Sequence, residues 1–276
     1  MFTYDIKTDR FLSFEKHQSN DSWKENPNYS RYILNTSQNR KKVLHELKKS
    51  PIELCVEITD YCNLSCPICI ADAGKDGKKF LDIERFSYVL DQLHGKVQRV
   101  CITGGEPLFH PEIEKIIDIS TKYYPTILST NGYLFDFVDY LSQKYNNIIF
   151  AISMHGPQNI HDQYVGVDGS YSHAVSSINF ALSNSALVQV YTVVSQFNID
   201  VIPDLIDTLR EYPIVLHKIM TIKQKGRVSY ETDEKNLLNI ITKCKKSTKS
   251  KIQIDSFPYY ILNSNGALEV ANGYER

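Results

Sequence analysis

Hydrophobic and polar residues follow two alternating patterns from residue 51 onward. Short, nearly continuous apolar runs are typical of strands that are buried on both faces. Between them lie amphipathic segments with the helical period. The predicted strands are residues 52–59, 97–103, 125–130, 147–154, 187–195 and 213–219, and the predicted helices are residues 82–93, 111–123, 134–144, 171–184, 202–211 and 234–245. These six strand-then-helix units predict a parallel α/β sheet, either doubly wound or curled into a partial barrel.

The two ends of the chain are less regular. Residues 1–14 suggest a hairpin, residues 38–49 a short helix, and residues 252–262 a last strand. We therefore expect a short N-terminal extension, a barrel core, and a short C-terminal segment that completes or caps the core. Their predicted bounds are residues 1–50, 51–230 and 231–276.

Composition and charge narrow the class of protein. The 276 residues are 42% hydrophobic, which is enough for a sizeable core. The 31 Lys and Arg balance 32 Asp and Glu, a net charge of −1, whereas a nucleic-acid binder usually has a basic excess. No apolar run approaches the roughly 20 residues that span a bilayer, and residues 1–18 lack the pattern of a signal peptide. We expect a cytoplasmic protein without a nucleic-acid or membrane partner.

Three of the six cysteines lie close together just after the first predicted strand. Cys62, Cys66 and Cys69 have the spacing C-x3-C-x2-C, whereas the other three are scattered, which argues against a disulfide framework. Thiolates favour zinc or iron–sulfur clusters. Three ligands leave one coordination position open, which suits a site where a substrate or cofactor binds the metal directly. The alternatives are a zinc site completed by a remote residue such as His155, or three free cysteines.

Small and polar residues follow the next three predicted strands. Adjacent glycines in the first of these segments would let the backbone approach a ligand and present its polar groups. Because the carboxyl ends of parallel strands meet at one edge, we expect all these residues to face one cavity. The segments are Thr103-Gly104-Gly105-Glu106-Pro107, Ser129-Thr130-Asn131-Gly132 and Ser153-Met154-His155-Gly156.

Together these segments resemble the radical S-adenosylmethionine (radical SAM) superfamily. The matching stretches are residues 59–69 (TDYCNLSCPIC), 104–107 (GGEP) and 129–132 (STNG), and the resemblance covers roughly residues 51–219. It implies a partial (β/α)6 TIM-like barrel that holds one [4Fe–4S] cluster and one SAM.

The resemblance also implies roles for individual residues. Cys62, Cys66 and Cys69 would each ligate one iron, and SAM would chelate the fourth. The implied SAM contacts are Ile68 at the adenine, Gly104, Gly105 and Glu106 at the methionine amino group, and Thr130, Asn131 and Ser153 near the ribose and carboxylate. His155 is a further candidate, considered below.

The implied activity is a reductive cleavage of SAM to methionine and a 5′-deoxyadenosyl radical, which abstracts hydrogen from a substrate. The resemblance leaves a peptide and a small metabolite open as substrates. It also implies a flavodoxin- or ferredoxin-type electron donor. The alternative from another class is a non-catalytic iron–sulfur or zinc protein on the same fold.

Two features depart from peptide-modifying members of the superfamily. His155 replaces an aspartate, and Val165 replaces an arginine that would pair with the SAM carboxylate. His155 either takes over this role or is a hydrogen-bonded loop histidine. Cys244 is the only cysteine after Cys101, which excludes a second cluster with several cysteine ligands.

Two polar residues interrupt the sixth predicted strand. Because neighbouring residues of a strand point to opposite faces, either His217 or Lys218 should point inward. For Lys218, the favoured interpretation is an extended side chain that reaches solvent at the end of the barrel. The alternative is that Lys218 holds an anionic group of the substrate. Tyr191, in the fifth strand, is interpreted as a packing residue.

Overall fold

The fold alternates strands and helices along most of the chain. The computed structural model describes residues 2–5, 10–16, 23–25, 32–33, 53–94, 97, 99–222, 226–228, 230–233, 236–237, 239–240, 244, 251–254, 259–262 and 268–271. The strands are β1 (Phe2–Asp5), β2 (Arg10–Lys16), β3 (Trp23–Glu25), β4 (Tyr32–Ile33), β5 (Glu53–Glu57), β6 (Arg99–Thr103), β7 (Thr126–Thr130), β8 (Ile148–Ser153), β9 (Leu187–Val194), β10 (Leu216–Thr221), β11 (Lys251–Ile254), β12 (Tyr259–Leu262) and β13 (Leu268–Ala271). The helices are α1 (Ile83–Gln92), α2 (Ile113–Tyr123), α3 (Phe135–Lys144), α4 (Gln158–Val165), α5 (Ser170–Ser183) and α6 (Ile202–Leu209), with 3-10 turns at Pro107–Phe109 and Ile199–Val201.

One large sheet organises the structure. Its strand order is β11-β10-β9-β8-β7-β6-β5-β12-β13. Every neighbouring pair from β11 to β12 is parallel, and β13 is antiparallel to β12. Four strands lie between β5 and β10 in this order, yet Glu53 of β5 and Lys218 of β10 line the same cavity. The sheet must therefore curl to bring these two strands toward each other. The curl confirms the partial barrel, the second of the two architectures that the periodicity left open.

The two faces of the curled sheet carry different side chains. On the outer face, fully buried residues such as Leu54 and Phe150 pack beneath the helices in the main core. On the inner face, Cys55 pairs in register with Cys101, and Cys101 with Ile127. Cys55 and Cys101 therefore lie side by side inside the curl rather than alone, and both are free thiols.

Helix α1 shows how local sequence sets the elements. The Asp82 side chain accepts a hydrogen bond of 2.9 Å from the Arg85 backbone N–H and so caps the helix. Phe86, Val89 and Leu90 form its buried face, at the spacing of one helical stripe. The observed bounds lie within one residue of the predicted residues 82–93. No helix among the described residues combines the length and the apolar character that crossing a membrane requires.

The structure departs from the predicted elements in two places. Helix α4, just after β8, was not predicted, because its eight residues are too short for a clear amphipathic period. The single strand expected at residues 252–262 is two strands, which join opposite edges of the sheet: β11 pairs with β10, and β12 pairs with β5.

The remaining predictions concern the chain ends. The hairpin expected within residues 1–14 is confirmed, since β1 and β2 pair antiparallel, with Phe2 opposite Ser13. The described residues between 234 and 245 are helical, as predicted. The helix predicted at residues 38–49 lies outside the described residues.

Candidate functional site

The loop that follows β5 carries the three clustered cysteines and is held by its own backbone. The Cys62 N–H donates to the Gly74 carbonyl at 3.0 Å, and the Gly74 N–H donates to the Asp60 carbonyl at 3.2 Å. The Cys69 N–H donates to the Cys66 carbonyl at 3.2 Å, which closes a turn between the last two cysteines. The cysteines therefore sit on a folded loop at the carboxyl end of the first barrel strand.

The double glycine after β6 supports this loop. The Gly105 N–H donates to the Thr59 carbonyl at 2.6 Å, and the Glu106 N–H to the Tyr61 carbonyl at 2.8 Å. A Cβ on Gly105 would lie 2.0 Å from the Tyr61 oxygen, and Gly104 has φ +143° with a Cβ position 2.5 Å from the Thr59 oxygen. Glycine is therefore required where two backbones meet. We expected the glycines to approach a ligand; the backbone that they approach in this structure is the segment that leads into Cys62.

The three thiols share one largely apolar environment. Cys62 packs with Leu64 and Ala73, and both Cys66 and Cys69 contact this cluster. The Leu64 N–H donates to Cys62 Sγ and the Ala73 N–H to Cys69 Sγ, both at 3.4 Å. Burial raises the pKa of Cys62 to about 12 and that of Cys66 to about 11. The thiols of Cys62 and Cys66 are therefore neutral, and a bound metal would have to displace their protons.

Within the part of the chain that the structure describes, no three His, Cys, Asp or Glu side chains converge on a point where a single metal ion would sit. The zinc interpretation therefore finds no support in this geometry. Ligands of a polynuclear cluster bind different irons and do not need to converge on one point.

Glu106 ties the ends of β6 and β7 together. Its side chain is 1% exposed. Oε1 accepts from the Thr130 hydroxyl at 2.8 Å and from the Leu108 N–H at 3.2 Å, while Oε2 accepts from the Asn131 N–H at 2.8 Å. Burial raises the pKa of the carboxyl to about 7 in spite of these donors. Each carboxylate oxygen has two lone pairs, so Oε2 retains one for a further donor.

Asn131 links this network to the cysteine loop. Its Nδ2 donates to the Asn63 Oδ1 at 2.9 Å and lies 3.8 Å from Cys62 Sγ. Its Oδ1 accepts from the Tyr133 N–H at 2.9 Å. The third strand end is therefore in contact with the first cysteine. Of the three segments expected to face one cavity, Thr103, Gly104 and Ser129 line the cavity described below, and the other residues do not. Asn63, within the cysteine motif, is a partner that sequence reasoning did not assign.

Arg227, from the segment after β10, clamps the cysteine loop and was also not assigned. Its Nε donates to the Cys66 carbonyl at 3.1 Å and its Nη2 to the Ala73 carbonyl at 2.6 Å, while Nη1 pairs with Asp72 at 2.9 Å. Next to it, Gly226 has φ +69°, and a Cβ there would lie 2.3 Å from the Cys69 carbonyl oxygen. Arg227 lies 161 positions from Cys66 along the chain, so no local pattern predicts this contact. The Gly226-Arg227 pair after the sixth predicted strand was the one sequence feature that pointed to this segment.

His155 is a buried, hydrogen-bonded loop histidine. Its Nδ1 accepts from the Val193 N–H at 3.2 Å, and its backbone N–H donates to His161 Nδ1 at 3.1 Å. Since Nδ1 accepts, the proton of the neutral ring lies on Nε2. Burial and the neighbouring His161 lower the pKa of His155 well below its usual value. His155 therefore offers no positive charge to replace the missing arginine. Ser153, two residues earlier, is half-buried at the end of β8.

A cavity of about 210 Å³ lies inside the curl beneath the cysteine loop. Ile68 of the loop and Gly104 line it from above, and Cys55, Tyr191 and Lys218 line it from the strands. Lys218 is 5% exposed. The interpretation that this side chain reaches solvent is therefore wrong: the register of β10 turns it inward, while His217 on the opposite face bonds Thr192.

The sequence places the chain in a known family. The profile of the Radical SAM superfamily matches residues 56–209, more than half of the chain. The chain belongs to the radical SAM superfamily. The residues that converge at the site, Cys62, Glu106 and Asn131 among them, lie within the matched range.

Individual radical SAM proteins are similar over part of their length. The antilisterial bacteriocin subtilosin biosynthesis protein AlbA of Bacillus subtilis is 28% identical over 166 residues, which cover 58% of this chain and 37% of that protein. The mycofactocin maturase MftC of Mycobacterium ulcerans is 28% identical over 182 residues, which cover 64% of this chain and 49% of that protein. The chain thus spans less than half the length of these curated relatives.

Solved structures share the fold. Streptococcus suis SuiB bound to S-adenosylmethionine matches with a TM-score of 0.68 and 18% identity, over 87% of this chain and 66% of SuiB. SuiB was also solved with its precursor peptide SuiA, and that structure matches with a TM-score of 0.65 and 18% identity, over 88% of this chain and 57% of SuiB. These matches confirm the partial TIM-like barrel. SAM and an iron–sulfur cluster are the cofactors of the family to which the chain belongs.

Proposed function

We propose that this chain is a radical SAM enzyme whose single [4Fe–4S] cluster is held by Cys62, Cys66 and Cys69. The observation that carries the proposal is the position of the cysteine loop. This chain belongs to the superfamily, and its cysteine loop covers a cavity inside the parallel sheet. Ile68 of the loop and Gly104 after β6 line that cavity. A reactive species formed beneath the loop would meet a substrate inside the curl of the sheet.

The thiols fit a cluster of this kind. They lie in one loop, in apolar surroundings, and two of them accept backbone N–H bonds of the type that stabilises thiolates. Three cysteines leave one iron without a protein ligand, and SAM is the group that would complete it. Once held by these cysteines, the cluster would supply one electron for the reductive cleavage of SAM and so provide the hydrogen-abstracting chemistry of the family.

The residues around the loop would hold SAM. Glu106 keeps a carboxylate lone pair for the methionine amino group, and Gly104 and Gly105 stand beside it. Thr130 and Asn131, both fixed by Glu106, would lie near the ribose and carboxylate, as would Ser153. Ile68 would pack on the adenine from the cavity roof. His155 would contribute a neutral N–H at most.

We propose a peptide as the substrate. The names of the relatives support this: AlbA is a bacteriocin biosynthesis protein, and SuiB was solved with a precursor peptide. A small metabolite is the second candidate, since a GTP 3′,8-cyclase from Chlorobaculum tepidum is 35% identical over 86 residues, 29% of this chain and 26% of that enzyme. The electron donor would be a flavodoxin- or ferredoxin-type protein.

The decisive experiment is anaerobic. The protein is reconstituted with iron and sulfide, SAM and dithionite are added, and 5′-deoxyadenosine is quantified. We expect product from the wild type and none from Cys66→Ala, while Cys244→Ala, a cysteine outside the loop, behaves as the wild type. A wild type that carries four irons and binds SAM without forming product, alone or with peptide extracts of the host, would favour the alternative of a non-catalytic iron–sulfur protein.

A further inference from the structure

Lys218 occupies an unusual place for a lysine. It lies in the middle of the inner face of β10, with Tyr191 of β9 as its register partner. Its Nζ stands 4.9 Å from the centroid of the Tyr191 ring, a cation–π geometry. The side chain is 5% exposed, and a buried ammonium group is costly unless an anion or several acceptors surround it.

No carboxylate among the described residues forms an ion pair with Lys218. Glu53, at the base of the cavity, forms an ion pair with Arg99 and accepts the Cys55 thiol at 3.4 Å. The positive charges of Arg99 and Lys218 both act on Glu53, whose single negative charge balances only one of them. Glu57 also lines the cavity. To the residues that the structure describes, Lys218 makes neither a hydrogen bond nor an ion pair, and the group of Glu53, Arg99 and Lys218 carries one positive charge in excess.

The cavity connects this charge to the cofactor loop. Ile68 and Gly104, which we assign to the SAM site, line the same 210 Å³ space as Tyr191 and Lys218. A space of this size is large enough for one side chain or one small molecule. A group bound at Lys218 would therefore place its neighbouring carbons beneath the loop.

We propose that Lys218 binds a carboxylate of the substrate and so orients the substrate beneath the SAM site. A single lysine without an ion pair matches one negative charge. A phosphate dianion would require a second free cation. Arg99, the only other basic residue described near the cavity floor, is already paired with Glu53. The proposal rests on the proposed function, because it assigns the substrate class of that same site.

Blocked amino acids test this with matched neutral analogues. The SAM-loaded, reconstituted protein is titrated calorimetrically with N-acetyl-aspartate N-methylamide and with its asparagine analogue. A second pair, N-acetyl-alanine and N-acetyl-alaninamide, presents a terminal carboxylate. We expect at least one acid to bind tenfold or more tightly than its amide, and the pair that does so identifies a side-chain or a terminal carboxylate as the source.

Two variants separate charge from shape. Lys218→Met should abolish the preference for the acid, and Lys218→Arg should keep it. Lys144→Met is the matched control: Lys144 also lies over a tyrosine ring, 5.3 Å from Tyr145, but at the surface, so its loss should leave the preference unchanged. An equal affinity of acids and amides for the wild type, including no binding of either, would overturn the proposal.

Thermal unfolding supplies a second readout. If Lys218 is a binding residue held without a partner, Lys218→Met should raise the melting temperature of the ligand-free protein, because an apolar side chain replaces an unpaired buried charge. A lower melting temperature, or failure to fold, would instead identify a structural lysine. Formation of 5′-deoxyadenosine in the same samples reports on the proposed function separately: its absence with an intact acid preference would refute the enzyme, not the anion site.

Discussion

Arg227 is the residue whose removal best tests how the cysteine loop is held. The change is Arg227→Ala. It deletes the donors to the Cys66 and Ala73 carbonyls and the ion pair with Asp72, while the Cys69 carbonyl keeps its bond from the backbone N–H of residue 227 at 3.1 Å. The variant therefore releases the side-chain clamp and leaves the backbone contact in place.

The magnitude follows from the environment of each contact. A hydrogen bond to a carbonyl contributes about 1 kcal/mol net, so the two carbonyl contacts contribute about 2 kcal/mol. The Asp72 side chain is 67% exposed and that of Arg227 30%, so their ion pair adds at most about 0.5–1 kcal/mol. A total of about 2–3 kcal/mol corresponds to roughly a 30- to 150-fold increase in the population of the open loop.

The assay is the loss of iron from the reconstituted protein to an excess of an anaerobic chelator, followed by absorbance. If iron leaves through the open loop, the rate constant should rise in Arg227→Ala by the same factor. The rate constant of iron loss from Arg227→Lys should lie between those of Arg227→Ala and the wild type, because lysine keeps the charge but lacks the planar guanidinium group. The matched control is Arg210→Ala, which removes a similarly exposed ion pair, with Asp207, at the C-terminal end of α6.

One result would refute this reasoning. If Arg227→Ala loses iron at the wild-type rate while its iron content is normal, the side-chain clamp contributes nothing. The loop would then be held by its backbone contacts, such as those at Thr59, Tyr61 and Cys69.

Three further predictions concern the same site. Gly105→Ala should lower the free energy of unfolding in urea by about 1–3 kcal/mol, because its Cβ would lie 2.0 Å from the Tyr61 carbonyl oxygen. An unchanged free energy of unfolding would show that the two backbone segments can separate at no cost. The raised pKa of about 7 means that the folded apo-protein binds the Glu106 proton more tightly than the unfolded chain does. The free energy of unfolding should therefore fall by about 3 kcal/mol as pH rises from about 4.5 to 7. In urea titrations, the free energy of unfolding of Glu106→Gln should depend less on pH over that window, and parallel curves for variant and wild type would contradict the assignment. Cys62 of the apo-protein should react with iodoacetamide at pH 8 far more slowly than a free thiol, because burial raises its pKa to about 12; mass spectrometry of its peptide measures this, and rapid labelling would mean that the loop is open without the cluster.

Much of the fold is encoded locally. Helix α1 lies where its apolar period and the Asp82 cap predict it, because both signals involve residues within a few positions of each other. The β5 to β10 strands are likewise apparent as buried apolar runs. The short helix α4 was missed because eight residues are too few for a clear amphipathic period. The split of residues 252–262 into two strands was missed because the partner strands, β10 and β5, are set by distant parts of the chain.

The candidate site divides in the same way. The cysteine spacing, the double glycine and the Asn131 segment were identifiable from the sequence, since residue type and short spacing carry the chemistry. The function of Glu106 as a brace for Thr130 and Asn131 was not, because its hydrogen bonds join two strand ends. The clamp of Arg227 on the Cys66 carbonyl likewise spans 161 residues.

Lys218 shows where sequence information ends. The alternation of β10 determined that either His217 or Lys218 faces inward, because neighbouring side chains of a strand point to opposite sides. Which of the two does so depends on the face that the helices cover and on the register with β9, which sets Lys218 beside Tyr191. The chain sequence thus determined the strands, the cysteine loop and the class of chemistry. Only the curled sheet decided which charge enters the cavity, because that choice depends on contacts between strands rather than on residues adjacent in the chain.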